Sequence, residues 1–274
     1  MVSELEALIE LLRGRRFAVL TGAGCSTESG IPDYRSPEQR DRVRRPIQHL
    51  EFVQRPEVRR RYWARSVLGW PRFSRFQPNG THTALAALER SGAVNGVITQ
   101  NVDRLHHAAG SQRVVELHGA LCRVKCLGCG ALSDRDALQE KLLAMNPGFT
   151  ERHLAELRPD GDAELPLEAE QSFLVPTCER CDGVLMPDLV FFGGHVAADV
   201  VAAAYEIVDE ADALLVVGSS LAVYSGYRFV KRAAERGSPI AIVNRGETRA
   251  DPLATVRVDG LASDVLGSVA WRLT

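Results

Sequence analysis

Short apolar runs that stop at glycine or small polar residues recur along this chain. The first, Phe17-Ala18-Val19-Leu20, empties into Thr21-Gly22-Ala23-Gly24-Cys25-Ser26. Others span Val94–Thr99, Val114–Leu117, Ala213–Val217, Ile240–Val243 and Val256–Val258. A continuous apolar run bounded by turn residues predicts a strand buried on both faces. Elsewhere the apolar spacing changes to three and four. Leu5, Leu8, Ile9 and Leu12 predict an amphipathic helix over residues 3–13, with Gly14 as its stop. Further helices are predicted over Thr81–Arg90, Asp199–Asp209 and Tyr227–Arg236, and after the last strand. Strands alternating with helices predict an α/β fold built on a doubly wound parallel sheet.

The alternation lapses twice. Residues 36–80 are rich in Arg, aromatics and Pro, and predict short helices broken at Pro46, Pro56, Pro71 and Pro78. Residues 122–181 hold five of the six cysteines and predict one helix over Ser133–Asn146, with Ser133 as N-cap. Pro159–Glu170 is acidic and reads as a surface loop. The expected organisation is a single domain over 1–274. Its large part is 1–35, 81–121 and 185–274. Its small part is 36–80, helical, together with an inserted module over 122–184.

A chain of 274 residues with 45% hydrophobic content has enough material for such a core. The net charge of -2 gives no reason to expect nucleic acid or membrane partners. No apolar run reaches the roughly 18 residues of a membrane span. Glu4, Glu6 and Glu10 precede the first Arg, unlike a secretory or transit segment, so the expected location is the cytoplasm. The scarcity of lysine (Lys125, Lys141 and Lys231 alone) carries no chemistry.

Cysteines in such a chain point to metal binding or catalysis rather than disulfides. Cys126-Leu127-Gly128-Cys129 and Cys178-Glu179-Arg180-Cys181 form two Cys-x-x-Cys knuckles. Paired knuckles supply four soft thiolates, the tetrahedral donor set of a closed, structural zinc site. The alternatives are a redox pair or four unrelated buried thiols. The spacer, residues 130–177, exceeds that of a plain zinc ribbon. Cys122 is left over as a small buried hydrophobe. Cys25 reads as packing rather than as a reactive thiol.

In open α/β sheets ligands bind outside the carboxyl ends of the strands. There this chain places Gly22–Ser26, Gln100-Asn101-Val102-Asp103, His118-Gly119, Gly218-Ser219-Ser220 and Asn244-Arg245-Gly246. A strand that empties into a glycine-rich turn brings backbone N–H groups up to a phosphate. The chain then continues through Gly30-Ile31-Pro32-Asp33-Tyr34-Arg35, too rich in Gly and Pro for a helix interior. His118 suits a general base, because an imidazole titrates near neutrality. His106 and His107 read as surface or capping residues. The arginines from Arg40 to Arg65 read as a solvated face, with an acidic-ligand patch as the alternative.

Together these motifs resemble the sirtuins, NAD-dependent protein-lysine deacylases, over nearly the full length. The matching stretches are Gly22–Ser26, Gly30–Arg35, Thr99–Asp103, Leu117-His118-Gly119, the cysteine quartet, Val190-Phe191-Phe192-Gly193, Gly218-Ser219-Ser220 and Val243-Asn244. Arg45–His49, Arg61–Arg65, Pro159–Asp162 and Val223–Phe229 are similar to the class II branch. The resemblance implies a Rossmann-like sheet with a small inserted zinc-binding module, NAD and zinc as cofactors, and acylated-lysine proteins as substrates. It implies that Gly22, Ala23, Gly24 and Ser26 cradle the NAD phosphates, and that Asp33, Tyr34 and Arg35 cover its nicotinamide end. Gln100, Asn101, Val102 and Asp103 would hold the nicotinamide ribose and carboxamide. Gly218, Ser219, Ser220, Asn244, Arg245, Gly246 and Ala262 would take the adenosine half. His118 would be the base, with Asn101 and Asp103 as its catalytic partners. Val190 to Gly193 would pair with the substrate backbone as an added strand. Gly194 stands where many relatives carry an acidic residue. Tyr62 and Arg65 resemble a pair that holds acyl carboxylates, so Arg65 or Arg61 is expected to favour carboxylated or bulky acyl groups.

The expected reaction gives nicotinamide, an O-acyl-ADP-ribose and free lysine, in a monomeric enzyme. The alternative is protein mono-ADP-ribosylation from the same NAD site. A non-catalytic NAD sensor conflicts with the presence of His118, Asn101 and Asp103. A dehydrogenase conflicts with Thr27 at the third glycine position.

Overall fold

The computed structural model describes residues 3–33, 46–153 and 165–274. The chain divides into two compact units. The first comprises residues 1–33, 77–118 and 196–274; the second comprises 34–76 and 119–195.

In the first unit six strands form one parallel sheet in the order β3-β2-β1-β7-β8-β9. They are β1 Phe17–Thr21, β2 Val94–Thr99, β3 Val114–Glu116, β7 Ala213–Val217, β8 Ile240–Val243 and β9 Val256–Val258. Alternate residues of β1 feed two separate cores. Phe17 and Val19 pack with Leu8, Leu85 and Leu266 on one face. Ala18 and Leu20 pack with Ile207, Phe229 and Val230 on the other. A strand covered on both faces has no polar side, which is why β1, β7 and β8 read as apolar runs. Helices Glu4–Leu12, Gly80–Arg90 and Ala262–Leu273 cover the first face, and Ala198–Asp209 and Tyr224–Glu235 the second. The strand order runs outward in both directions from β1 and β7. Their carboxyl ends are therefore the topological switch point, where a doubly wound sheet opens a crevice.

The second unit holds an antiparallel sheet in the order β5-β4-β6, of β5 Leu132–Asp134, β4 Gly119–Cys126 and β6 Leu185–Leu189. Its core includes Phe52, Trp63, Val67, Val124, Leu142 and Phe173. Four expectations change here. First, β4 and β6 pair with each other, so 119–121 and 185–195 belong with the small unit rather than the large one. At their junction Gly119 has φ 78°, and a Cβ on it would collide with the carbonyl oxygen of Asp188.

Second, Pro71 does not break a helix, because one helix spans Pro56–Phe73. A proline removes the hydrogen bond to the carbonyl four residues back. That carbonyl, of Val67, instead accepts from Gln139 Nε2 at 2.7 Å. Third, the helix Arg135–Met145 is capped by Asp134, whose side chain accepts from the Asp136 N–H at 2.7 Å; Ser133 lies in β5. Fourth, the helix expected from Tyr227 already begins at Tyr224.

Candidate functional site

The glycine loop is built by close backbone approach. After β1 it makes two short 3₁₀ turns, Ala23–Cys25 and Thr27–Ser29, and Gly30 closes the second at φ 91°. Gly22 N–H donates to Val217 C=O at 3.1 Å and Gly24 N–H to Gly218 C=O at 2.8 Å. A Cβ on Gly22 would lie 2.7 Å from Ser219 Cβ, and one on Gly24 2.9 Å from Gly218 Cα. Gly218 itself has φ 59° and abuts the Cys25 backbone nitrogen. Three glycines thus press the loop against the end of β7. Cys25 is buried, and burial followed by the nearby Asp103 carboxylate raises its thiol pKa, so it is packing rather than a nucleophile.

The polar residues after β2 and β3 form one hydrogen-bonded set with this loop. Asn101 Nδ2 donates to Gly22 C=O at 3.0 Å and to Ser26 Oγ at 3.1 Å. Ser26 Oγ donates to Asp103 Oδ2 at 2.7 Å, and Leu105 N–H to Asp103 Oδ1 at 2.9 Å. Burial raises the Asp103 pKa, and these donors partly offset it. Gln100 Nε2 reaches Ser219 Oγ at 2.7 Å and Thr21 C=O at 3.3 Å. His118 Nδ1 lies 2.9 Å from Gln100 C=O, and its Nε2 lies 2.8 Å from Ser225 Oγ. Burial lowers the His118 pKa below 6.5, opposed by the Gln100 carbonyl. The neutral ring with its proton on Nδ1 is the form these partners select.

The adenosine-side candidates sit on neighbouring strand ends. Gly218 N–H donates to Val243 C=O at 2.9 Å, placing the ends of β7 and β8 side by side. Ser220 C=O accepts from Arg249 N–H at 3.0 Å. Asn244 Nδ2 folds back onto the carbonyls of Arg245 and Gly246 at 2.8 and 3.0 Å. Arg245 is exposed, and Ala262 is buried at the start of the C-terminal helix. Ala23, Val102 and Asp33 are half-buried. Tyr34 and Arg35 lie outside the described residues, as do Arg40 to Arg45 and Pro159 to Asp162.

Several participants carry no strong sequence signal. Asn79 Oδ1 caps helix Gly80–Arg90 through Thr81 N–H, while its Nδ2 grips Cys25 C=O at 2.8 Å and Ser29 Oγ at 3.1 Å. The expectation of His106 as a surface or capping residue is overturned. Its Nε2 lies 3.0 Å from Thr21 Oγ1, and its ring packs 4.8 Å from that of His82, both fully inside. Burial pushes His82 down to about 4 and His106 well below its usual value. The i, i+3 and i+4 pattern places His82 on the buried face of its helix, which was the available signal.

In the second unit the thiol sulfurs of Cys126, Cys129, Cys178 and Cys181 all lie within 4.8 Å of one another. A Cβ on Gly183 would come within 2.8 Å of Cys126 Sγ, so the knuckles close only around glycine. Backbone N–H groups of Cys129 and Gly128 help bring the Cys126 thiol down to about 6. Four converging thiols on hydrogen-bond-donating knuckles fit a tetrahedral zinc ion. Among the described residues no other such group of metal-ligating side chains converges.

The same unit holds the substrate-side candidates. Val190 to Gly193 follow β6, and Phe192 C=O accepts from His49 N–H at 2.8 Å. Phe191 stacks on Phe52 at 5.1 Å and meets Tyr62 edge-on at 5.5 Å. Arg65 departs from the solvated face expected of its segment. It is 7% exposed, and its guanidinium Nη2 and Nε lie 2.5 and 2.6 Å from Glu170 Oε1, itself 6% exposed. Arg61 is half-buried. No described helix is long and apolar enough to cross a membrane.

A glycine-pressed loop at the switch point, a tethered Gln-Asn-x-Asp strand end and a thiol quartet form an unusual combination. The sequence model of the Sir2 family matches residues 22–225, which contain all three. The "NAD-dependent protein deacetylase 1" of Mycobacterium avium (strain 104) is 54% identical, with 99% of this chain and 96% of that one covered. The mitochondrial "NAD-dependent protein lipoamidase sirtuin-4" of Bos taurus is 52% identical, with 97% and 84% covered. A solved "Sir2-p53 peptide-NAD+" complex is 30% identical with TM-score 0.72, covering 97% of this chain and 96% of that one. With the fold, the site and these likenesses in agreement, this chain belongs to the Sir2 family.

Proposed function

We propose that this chain is an NAD-dependent protein-lysine deacylase, a single catalytic domain of the class II kind. The observation that carries the reading is the continuous set from Gly22 through Asn101, Ser26 and Asp103, with His118 held neutral on the Gln100 carbonyl. The glycine cradle fits a dinucleotide, because Gly22 and Gly24 let the loop pack directly on Gly218 and Ser219 at the carboxyl end of the sheet, where backbone N–H groups meet phosphates. NAD, when bound, supplies the glycosidic bond whose cleavage frees nicotinamide and leaves ADP-ribose to accept the acyl group.

The chain's own residues then have distinct tasks. The loop Gly22 to Ser26 binds the phosphates, and Asp33, Tyr34 and Arg35 cover the nicotinamide end. Gln100, Asn101, Val102 and Asp103 orient the ribose and carboxamide. His118 takes a proton at Nε2 from a ribose hydroxyl, with Asn101 and Asp103 fixing the geometry. Gly218, Ser219, Ser220, Asn244, Arg245, Gly246 and Ala262 serve the adenosine half. Val190 to Gly193 take the substrate backbone as an added strand, and Tyr62 and Arg65 meet the acyl group. Zinc on the four cysteines holds the second unit and does no chemistry. The names deacetylase and lipoamidase among the relatives support acyl removal without selecting one acyl group. The net charge of -2 supports an enzyme with no nucleic-acid or membrane partner, which we place in the cytoplasm as a monomer.

The test is nicotinamide release with NAD and lysine peptides carrying acetyl, lipoyl, glutaryl and long-chain acyl groups. Release that depends on the acyl peptide and yields O-acyl-ADP-ribose is expected. ADP-ribose recovered on protein instead would favour mono-ADP-ribosyl transfer.

A further inference from the structure

The proton-accepting atom of His118 is already covered. A carbonyl oxygen can only accept, so Gln100 C=O fixes the ring proton on Nδ1 and leaves the lone pair on Nε2. Ser225 Oγ lies 2.8 Å from that lone pair and donates to it. The helix Tyr224–Glu235 delivers this hydroxyl in its first turn. It can come so close because the next residue is Gly226, where a Cβ would lie 2.7 Å from Gln100 Oε1. Ser225 and Gly226 thus grip His118 and Gln100 together. A hydroxyl that gives its proton to His118 along the lone-pair direction meets Ser225 first.

We propose that Ser225 relays the proton to His118, an inference that rests on reading His118 as the base. The substrate O–H bond breaks and its proton bonds to Ser225 Oγ. In the same step the original Ser225 O–H bond breaks, and that proton forms the Nε2–H bond. Ser225 ends neutral, His118 ends as an imidazolium with Nδ1–H still on Gln100, and the electron pair stays on the substrate oxygen as the nucleophile. A hydroxyl suits this place because it donates to the neutral ring and accepts from the protonated one. The imidazolium so formed keeps a charge-assisted hydrogen bond at each nitrogen.

The full-length enzyme with NAD and an acetyl-lysine peptide tests this through Ser225→Ala, Ser225→Thr and His118→Ala. Ser225→Ala should slow single-turnover formation of free lysine by roughly a hundredfold or more, the scale of a lost proton-transfer group. Exchange of labelled nicotinamide precedes the base step and should stay within about twofold. Ser225→Thr restores the hydroxyl and should recover most of the rate. In mixed H₂O and D₂O, the wild-type rate should show the curved dependence of two protons in flight, and Ser225→Ala a straight line. Wild-type rate and curvature in Ser225→Ala would overturn the relay, as would Ser225→Thr no faster than Ser225→Ala. Equal loss of exchange and product formation would also overturn it, by marking a structural role. If His118→Ala retains wild-type turnover, the reading of His118 as base fails. If His118→Ala is inactive while Ser225→Ala is unimpaired, the relay alone fails.

Discussion

At Arg65 the guanidinium already has a carboxylate. An acyl chain ending in its own carboxylate would compete with Glu170 for that partner, whereas a neutral acyl group has no such contest. Glu170→Gln removes the competing charge and keeps the shape. We expect it to raise turnover of glutaryl-lysine relative to acetyl-lysine peptides, measured as the ratio of kcat/KM values. It should also destabilise the protein by about 3 kcal/mol, since it leaves a buried guanidinium without its counter-charge. An unchanged ratio would remove Arg65 from acyl selection.

His118 gives a second residue-scale prediction. The base acts when neutral, and burial holds its pKa below 6.5. The acid limb of kcat/KM should therefore have its midpoint below pH 6.5, as the proton must leave before the ring can accept another. His118 and Gln100 are legible in the sequence because they follow apolar runs at strand ends. Glu170 and Ser225 are not, because their importance lies in contacts 105 and 107 residues away along the chain.

Elements differ in how openly they declare themselves. β7 and β8 match the apolar runs to the residue, because burial on both faces leaves no polar position to blur the edges. β4 gives no apolar run because Arg123 and Lys125 alternate with Cys122, Val124 and Cys126, and one of its partners, β6, lies in a distant segment. Pro71 misled because the local rule was met by a tertiary donor, Gln139. The contact between helix Gly80–Arg90 and the short helix Leu105–Ala108 is the pair His82 and His106, packed as neutral rings.

That contact makes stability depend on pH. His82 titrates at about 4 in the folded protein. Its unfolded value is about 6.5, so the unfolded chain binds the proton more readily between these limits. The contribution is fully present above about pH 6.5 and is lost progressively toward pH 4, on the order of 3 kcal/mol for His82. Thermal melts across that range should show the decline, and His82→Gln should make it shallower. A flat Tm from pH 7 to pH 4.5 would contradict the account.

At the scale of the whole molecule, the two units rest on different foundations. The first has two apolar layers, one on each face of a six-stranded sheet, and all of the residues from Gly22 to Asp33 and from Gln100 to His118 that we assign to cofactor and base. The second has a three-stranded sheet, one apolar cluster and the thiol quartet. Its knuckles close the chain from Cys129 to Cys178, and metal ligation contributes folding free energy on the order of 10 kcal/mol in small zinc modules. Removing zinc should therefore act on one unit. With a strong chelator, or in Cys178→Ala, we expect calorimetry to resolve an early transition for the second unit and a later one near the wild-type Tm for the first. ADP-ribose binding, which needs only residues of the first unit, should persist within about tenfold. Deacylation should be lost, because Val190 to Gly193 belong to the unit that unfolds. Metal analysis of the purified protein should give about one zinc per chain, as four thiolates complete a single tetrahedral shell. Simultaneous loss of ADP-ribose binding and deacylation in one cooperative transition would instead make the quartet a support for the entire fold.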